Sequence, residues 1–327
     1  MDPKTKEAVV KEVEKNIGAN PKLRVDLRVK VTDGVKAIVK EEVEHGRLQL
    51  EKHMERLVAP KASTIVIKTP VNEKAVTGLR HRLFPKILRM VGTKTPTYLW
   101  GAAGAGKTTL AFQIAEALGI KFYPVYGGPT LTESKLLGYR NASTGHYVKG
   151  LCYDAYVTGG LLFMDEADVG EGLIGLNALL ANDVYRFPDG EVVTRHKDFH
   201  VLAAGNTNWN GATGSYKRQA ADGAFKDRFV RMKFEYDEAL EMALVPPEFG
   251  PWVRYVHEVR AYVNNKTKEG RAIISPRAIL KGWQAIACGA MDIQEAAETI
   301  VMVDLSDDVR QVVLREVKMP ELNITKE

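Results

Sequence analysis

Residues 96–109 read PTYLWGAAGAGKTT. An apolar run stops at a glycine-rich loop, and the loop opens directly into TLAFQIAEALG, residues 109–119, where Leu110, Ile114 and Leu118 recur at helical spacing before Gly119 ends the segment. Strand, loop and helix in that order fit G-x-x-x-x-G-K-[ST] with Gly101, Gly106, Lys107 and Thr108. The spacing has a physical reason. Glycines let backbone N–H groups close around phosphate oxygens, and the helix that follows points its positive end at them. The whole loop, Gly101, Ala102, Ala103, Gly104, Ala105, Gly106, Lys107, Thr108 and Thr109, is therefore the candidate nucleotide cradle. Lys107 is placed to reach the β and γ phosphates, and the Thr108 hydroxyl to ligate Mg²⁺.

A second stretch answers to the first. Residues 161–168, LLFMDEAD, end an apolar run in Asp165, Glu166 and Asp168, and such crowding needs something nearby to offset repulsion and lost solvation. Beside a phosphate loop, an acid at the end of a neighbouring strand supplies the second metal ligand, so the candidate metal set is Thr108 and Asp165. Glu166 is then placed to polarise an attacking water as general base. Asp168 has two readings, a cap for the helical-looking EGLIGLNALL, worth about 1 kcal/mol, or a partner standing behind the other two acids.

Outward from these motifs, STIVI (63–67), PTYLW, IKFYPVY (120–126), GLLFM (160–164), FHVLAA (199–204) and FVRMKF (229–234) are short apolar strands, and most alternate with helices. They predict an α/β fold with a five-stranded, mostly parallel sheet covered on both faces. Past Pro246-Pro247 and Gly250-Pro251 the pattern is helical. The domains expected are an appendage of helix, strand and helix over residues 1–61, serving docking or oligomerisation, an α/β core over 62–236, and a small helical lid over 237–327.

Composition sets bounds. With 45% hydrophobic and 27% charged residues the chain is an ordinary globular one, and no apolar run nears the roughly 18 residues that span a bilayer. Two cysteines, Cys152 and Cys288, build neither a disulfide framework nor a four-ligand zinc site, and a cytoplasmic setting without membrane contact is the expectation. The net charge is +5, and residues 61–100 hold eight basic side chains, Lys61 to Lys94, against Glu73 alone. That stretch is either a solvated face or a nucleic-acid surface.

The letters Asp165-Glu166-Ala167-Asp168 resemble the DEAD-box helicases. That family continues with Ser-Ala-Thr and carries His-Arg-x-Gly-Arg in a second ATPase-like domain, and neither string occurs in this sequence. The ordered series of motifs resembles instead the AAA+ ATPases. FHVLAAGNTN places Asn206 at the position called sensor 1, GAFKDRFV places Arg228 as an arginine finger, with Arg231 in reserve, and IISPRAIL places Arg277 at sensor 2. The resemblance implies ATP with Mg²⁺ as cofactors, a P-loop AAA+ core with a helical lid, and a homo-oligomeric ring, a hexamer. It also implies that Arg228 works on the neighbouring subunit's nucleotide, while Arg277 works in its own or the adjacent site.

Insertions narrow the branch. GGPTLTESKLLGYRNASTGHYVKGLCYDAYVTGG and VYRFPDGEVVTRHKDF carry hairpins near 138–150 and 185–199, with Asp189-Gly190 as a tight-turn signal. They resemble the helix-2-insert branch, and most of all MoxR-type proteins, the ATPase subunit of cobaltochelatase, and related ATPases encoded by bacteriophages. This resemblance spans about residues 62–315. It implies remodelling of a macromolecular client, a protein first and a nucleic acid second. Tyr139 and Tyr147 either grip that client or pack the hairpin onto the core, and His196 and His200 are ordinary strand or loop residues.

Overall fold

In a computed structural model we describe residues 63–68, 73–169, 172–213, 216–218, 220–266 and 272–322. The chain divides into two units, Met1–Ala59 and Pro60–Glu327, and all described residues belong to the second. The helix, strand and helix expected over 1–61 lie outside the described residues.

The strands Thr97–Trp100 (β3), Phe122–Tyr126 (β4), Gly160–Asp165 (β7), Phe199–Gly205 (β10) and Val230–Lys233 (β11) form one five-stranded sheet in the order β11-β3-β10-β7-β4. Every neighbouring pair is parallel. β7 and β10 are continuous apolar runs because both faces are covered. Leu161 and Phe163 turn to the side packed by the helices Phe84–Gly92 (α1) and Lys107–Leu118 (α2). Leu162 and Met164 turn to the other side, where they meet Tyr156, Leu179, Trp209 and Phe225. The strand period of two thus divides one run between two cores.

The first expected strand does not join this sheet. Ser63–Lys68 (β1) pairs antiparallel with Glu73–Gly78 (β2), Ser63 opposite Gly78. A parallel neighbour needs a crossover of about a dozen residues or more, and only residues 69–72 intervene here, so the hairpin is the connection the chain length allows.

Two further hairpins project from the core, Gly138–Arg140 (β5) with Tyr147–Lys149 (β6), and Val184–Arg186 (β8) with Val192–Thr194 (β9). The Arg140 guanidinium donates to the Asp189 carbonyl, joining one to the other. Tyr147 packs inward, its hydroxyl donating to the Leu137 carbonyl and its ring 5.7 Å from that of Tyr153. Tyr139 is 48% exposed, so the two tyrosines have different surroundings.

Beyond β11 the chain is helical, with Glu238–Ala243 (α3), Gly250–Lys266 (α4), Pro276–Ala287 (α5), Ile293–Ala296 (α6) and Asp307–Glu316 (α7). Ser275, Asp292 and Ser306 cap three of these, each side chain accepting a first-turn N–H. Their apolar faces meet in a separate core around Trp252, Val256, Val259, Ile279, Met302 and Val313. This lid touches the sheet region at the phosphate loop: Gly104 has φ +76°, and a Cβ there would sit 2.8 Å from Cβ of Ser275.

Candidate nucleotide site

Because β3, β10 and β7 are adjacent, their carboxyl ends bring the glycine loop, Asn206 and Asp165 side by side. Lys107, the first residue of α2, is buried, and its ammonium donates to the carbonyls of Gly101 at 2.7 Å and Ala102 at 2.9 Å and to Oδ1 of Asn206 at 3.3 Å. Burial pushes its pKa down to about 8, while the nearby charges of Asp165 and Asp168 act the other way. Oγ1 of Thr108 donates to Oδ2 of Asp165 at 2.6 Å, and Oδ1 of Asp165 accepts from the Glu166 amide at 2.9 Å.

Glu166 has φ +48°, a left-handed conformation that costs a non-glycine residue about 1 to 3 kcal/mol. Its neighbours hold it there. Gly127 donates to the Asp165 carbonyl at 2.8 Å, and a Cβ on Gly127 would come within 2.2 Å of the Glu166 carbonyl oxygen. The result is a carboxylate that is 55% exposed and stands at the mouth of the site.

Asp168 is not a helix cap. Its side chain is fully buried, and Oδ2 accepts from the amides of Asn206 at 2.9 Å and Thr207 at 2.7 Å and from the Thr207 hydroxyl at 2.9 Å. Backbone donors on an adjacent strand end outcompete a local cap because they satisfy the carboxylate away from water. The turn after β7 is thereby pinned to the turn after β10.

These groups border one cleft of about 470 Å³. Lys107, Asp165, Glu166, Asn206 and Arg277 all line it, as do Ala103 to Thr109. Gly101 and Ala102 do not. Gly101 lies against the Phe234 carbonyl, and both turn their own carbonyls to Lys107. The far end of the cleft, between core and lid, is walled by Leu79, His81, Gln113, Leu240 and Leu280. The His81 ring stacks on Phe234 at 4.0 Å, accepts at Nδ1 from the Leu83 amide and donates from Nε2 to the Glu235 carbonyl, and burial lowers its pKa. A neutral, flat wall of this kind suits an aromatic base.

Arg228 stands apart from this cleft. It follows the helix Gly223–Asp227, which Asp222 caps, and its Nε donates to Oδ1 of Asn177 at 2.9 Å. Arg231 reaches Oδ1 of Asn208 at 3.4 Å, also outside the cleft. Nδ1 of His200 donates to the Val91 carbonyl, and His196 accepts from the Asp198 amide, so both are occupied within the fold.

Sequence reasoning missed three side chains. The Tyr216 hydroxyl accepts from the Ala103 amide at 3.0 Å, and the Tyr236 hydroxyl donates to the Ala103 carbonyl at 3.0 Å, so the phosphate loop is held from behind on both sides. Arg218 places Nε 3.1 Å from Oδ1 of Asp168 and Nη2 3.7 Å from Oε2 of Glu166. The only signal for Tyr216 and Arg218 was their place in GATGSYKRQ, the segment between Asn206 and Arg228, and Tyr236 lies past β11.

No curated protein sequence matches the chain. Residues 96–229 match the family model of the AAA domain, dynein-related subfamily. That stretch covers the phosphate loop, Asp165, Glu166, Asp168 and Asn206, and it supports an ATPase of the AAA+ class for the α/β core described here.

Proposed function

We propose that the chain is a Mg²⁺-dependent ATPase that assembles as a ring, of six subunits by its resemblance to the helix-2-insert branch, and remodels a macromolecular client. The observation that carries this reading is the convergence of Lys107, Asn206, Thr108, Asp165 and Glu166 at three adjacent strand ends. A hydroxyl and a carboxylate oxygen 2.6 Å apart are the hard oxygen donors Mg²⁺ prefers. Among the described residues no cluster of three or more His, Cys, Asp or Glu offers a fuller cage, so water and phosphate would supply the remaining ligands. Held by Thr108 and Asp165, Mg²⁺ would offset the negative charge of the phosphates.

The chain's own groups do the rest. Lys107 holds the γ phosphate in place of the two loop carbonyls it now binds. Glu166 accepts the proton of a water whose oxygen attacks the γ phosphorus as the bond to the β-γ bridging oxygen breaks. Asn206 orients that water, and Arg277 closes the lid side of the cleft. Arg228, facing away from its own cleft, serves the adjacent subunit's γ phosphate, where such a contact is worth about 10³ to 10⁵ in rate.

Resemblance to MoxR-type proteins, cobaltochelatase and phage-encoded ATPases supports a protein client, met by the linked hairpins. One observation favours a nucleic-acid client instead: Lys86 and Arg89 lie exposed on α1 with Arg82 beside them. ATPase stimulation by DNA or RNA that collapses with salt would select that second reading. The ring itself is tested by doping Arg228→Ala into wild type. Activity should fall more steeply than dilution, about twofold below the proportional line at equal mixing. Strictly proportional loss would argue for a subunit that works alone or for Arg231.

A further inference from the structure

Asp165, Glu166 and Asp168 crowd three carboxylates into four positions. The charge of Lys107 is felt by all three, but its ammonium is bonded to Gly101, Ala102 and Asn206, whereas Arg218 pairs with two of the acids directly. Oδ2 of Asp168 already accepts three bonds from Asn206 and Thr207, and Oδ1 lies 3.1 Å from the Arg218 Nε as an ion pair without hydrogen-bond alignment. The Asp168 side chain is 0% exposed and that of Arg218 15%, so this pair acts in low dielectric. From the same planar fork Nη2 lies 3.7 Å from the Glu166 carboxylate. A lysine, a point charge on a flexible stem, cannot bridge two carboxylates in this way.

The segment that carries Arg218 is tied to the third part of the site. The Tyr216 ring centroid is 5.6 Å from the guanidinium carbon, and its hydroxyl accepts the Ala103 amide of the phosphate loop. From residues 216 to 218 the chain thus touches the phosphate loop, the general base and, through Asp168, the Asn206 turn. An exposed glutamate has rotamers to spare, and a misplacement of about 1 Å at a reacting group can cost about 100-fold.

We propose that Arg218 is a positioning residue for hydrolysis, its guanidinium holding the Glu166 carboxylate and the Asp168-anchored Asn206 turn as one unit. This rests on the ATPase reading above. Arg218 does not line the cleft. It acts by fixing the groups that do, so its loss should appear in kcat and spare ground-state binding.

Phosphate release and binding of a fluorescent ATP analogue by the full chain test this in four variants. Arg218→Ala should lose about 100-fold in kcat with KM and analogue affinity within about threefold. Arg218→Lys keeps a counter-charge for Asp168 but not the bridge, and should recover about tenfold of that loss. Placed in a Glu166→Gln background, Arg218→Ala should add about tenfold or less, because one of the two groups it positions is already gone. A kcat within about threefold of wild type, or a fully additive loss in the double variant, would overturn the proposal. Should Arg218→Ala fail to fold, Arg218→Lys decides: an unchanged kcat overturns the proposal, and a drop of about tenfold at unchanged KM supports it. If Glu166→Gln turns over ATP as fast as wild type, the general-base assignment of Glu166 fails first, and the positioning role of Arg218 falls with it.

Discussion

The α/β core and the helical lid each set an acid among cations, and they use it differently. In the lid, Glu241 is 3% exposed and takes Arg260 in a two-pronged contact, Nη1 to Oε1 at 3.2 Å and Nη2 to Oε2 at 2.9 Å, with Nε2 of His257 at 2.7 Å. Arg260 also donates from Nε to the Ile274 carbonyl at 2.8 Å and lies over the Tyr236 ring at 4.3 Å. Both of its nitrogen arms and both Glu241 oxygens have partners. In the core, by contrast, Lys107 satisfies itself on loop carbonyls, and Glu166, half in water, meets one guanidinium at 3.7 Å among the described residues. The lid cluster is closed on itself, while the core's charges are left free to be claimed by a ligand.

That contrast can be broken at either end. Glu241→Gln would leave Arg260 buried without its counter-charge, and removal of one partner of such a pair costs about 3 to 5 kcal/mol. Denaturant unfolding read by fluorescence, with Trp252 and Trp283 in the lid and Trp100 and Trp209 in the core, should show a loss of that size. A loss under about 1 kcal/mol would mean that the lid cluster is incidental. Lys107→Met should do the opposite. Burial brings the Lys107 pKa from 10.5 down to about 8, so between those values the unfolded chain holds a proton the folded chain has released, and stability rises with pH. Below about pH 8 the folded chain carries the full cost of the buried ammonium. Methionine removes that cost, so the variant should be more stable than wild type by about 1 to 2 kcal/mol at pH 7, and the gap should close toward pH 10.5. ATP binding should fall at least about 100-fold in the same variant. A variant less stable than wild type at pH 7, with no dependence on pH, would show that the lysine is structural.

How much of this was visible in the sequence differs between the parts. The parallel sheet was legible because β7 and β10, buried on both faces, write uninterrupted apolar runs, and the glycine loop fixes where one strand ends. β2 was not, because EKAVTG mixes charge into a hairpin partner too near to be a crossover. Lys107, Thr108 and Asp165 follow from a pattern with a mechanism, and the fold brings Thr108 and Asp165 into contact. Asp168 looked local, yet its partners lie 38 and 39 positions away on another strand end. Arg218 and Tyr216 sit in a loop without periodicity, where only folding reveals which carboxylate or amide they meet.

The central claim is that Glu166 is the base of an ATP-hydrolysing site built by the phosphate loop. The most direct measurement compares phosphate release and ATP binding by wild type and Glu166→Gln, each with Mg²⁺. We expect the variant to bind ATP within about threefold of wild type and to turn it over about 10³-fold more slowly. Brisk hydrolysis by Glu166→Gln would contradict the account.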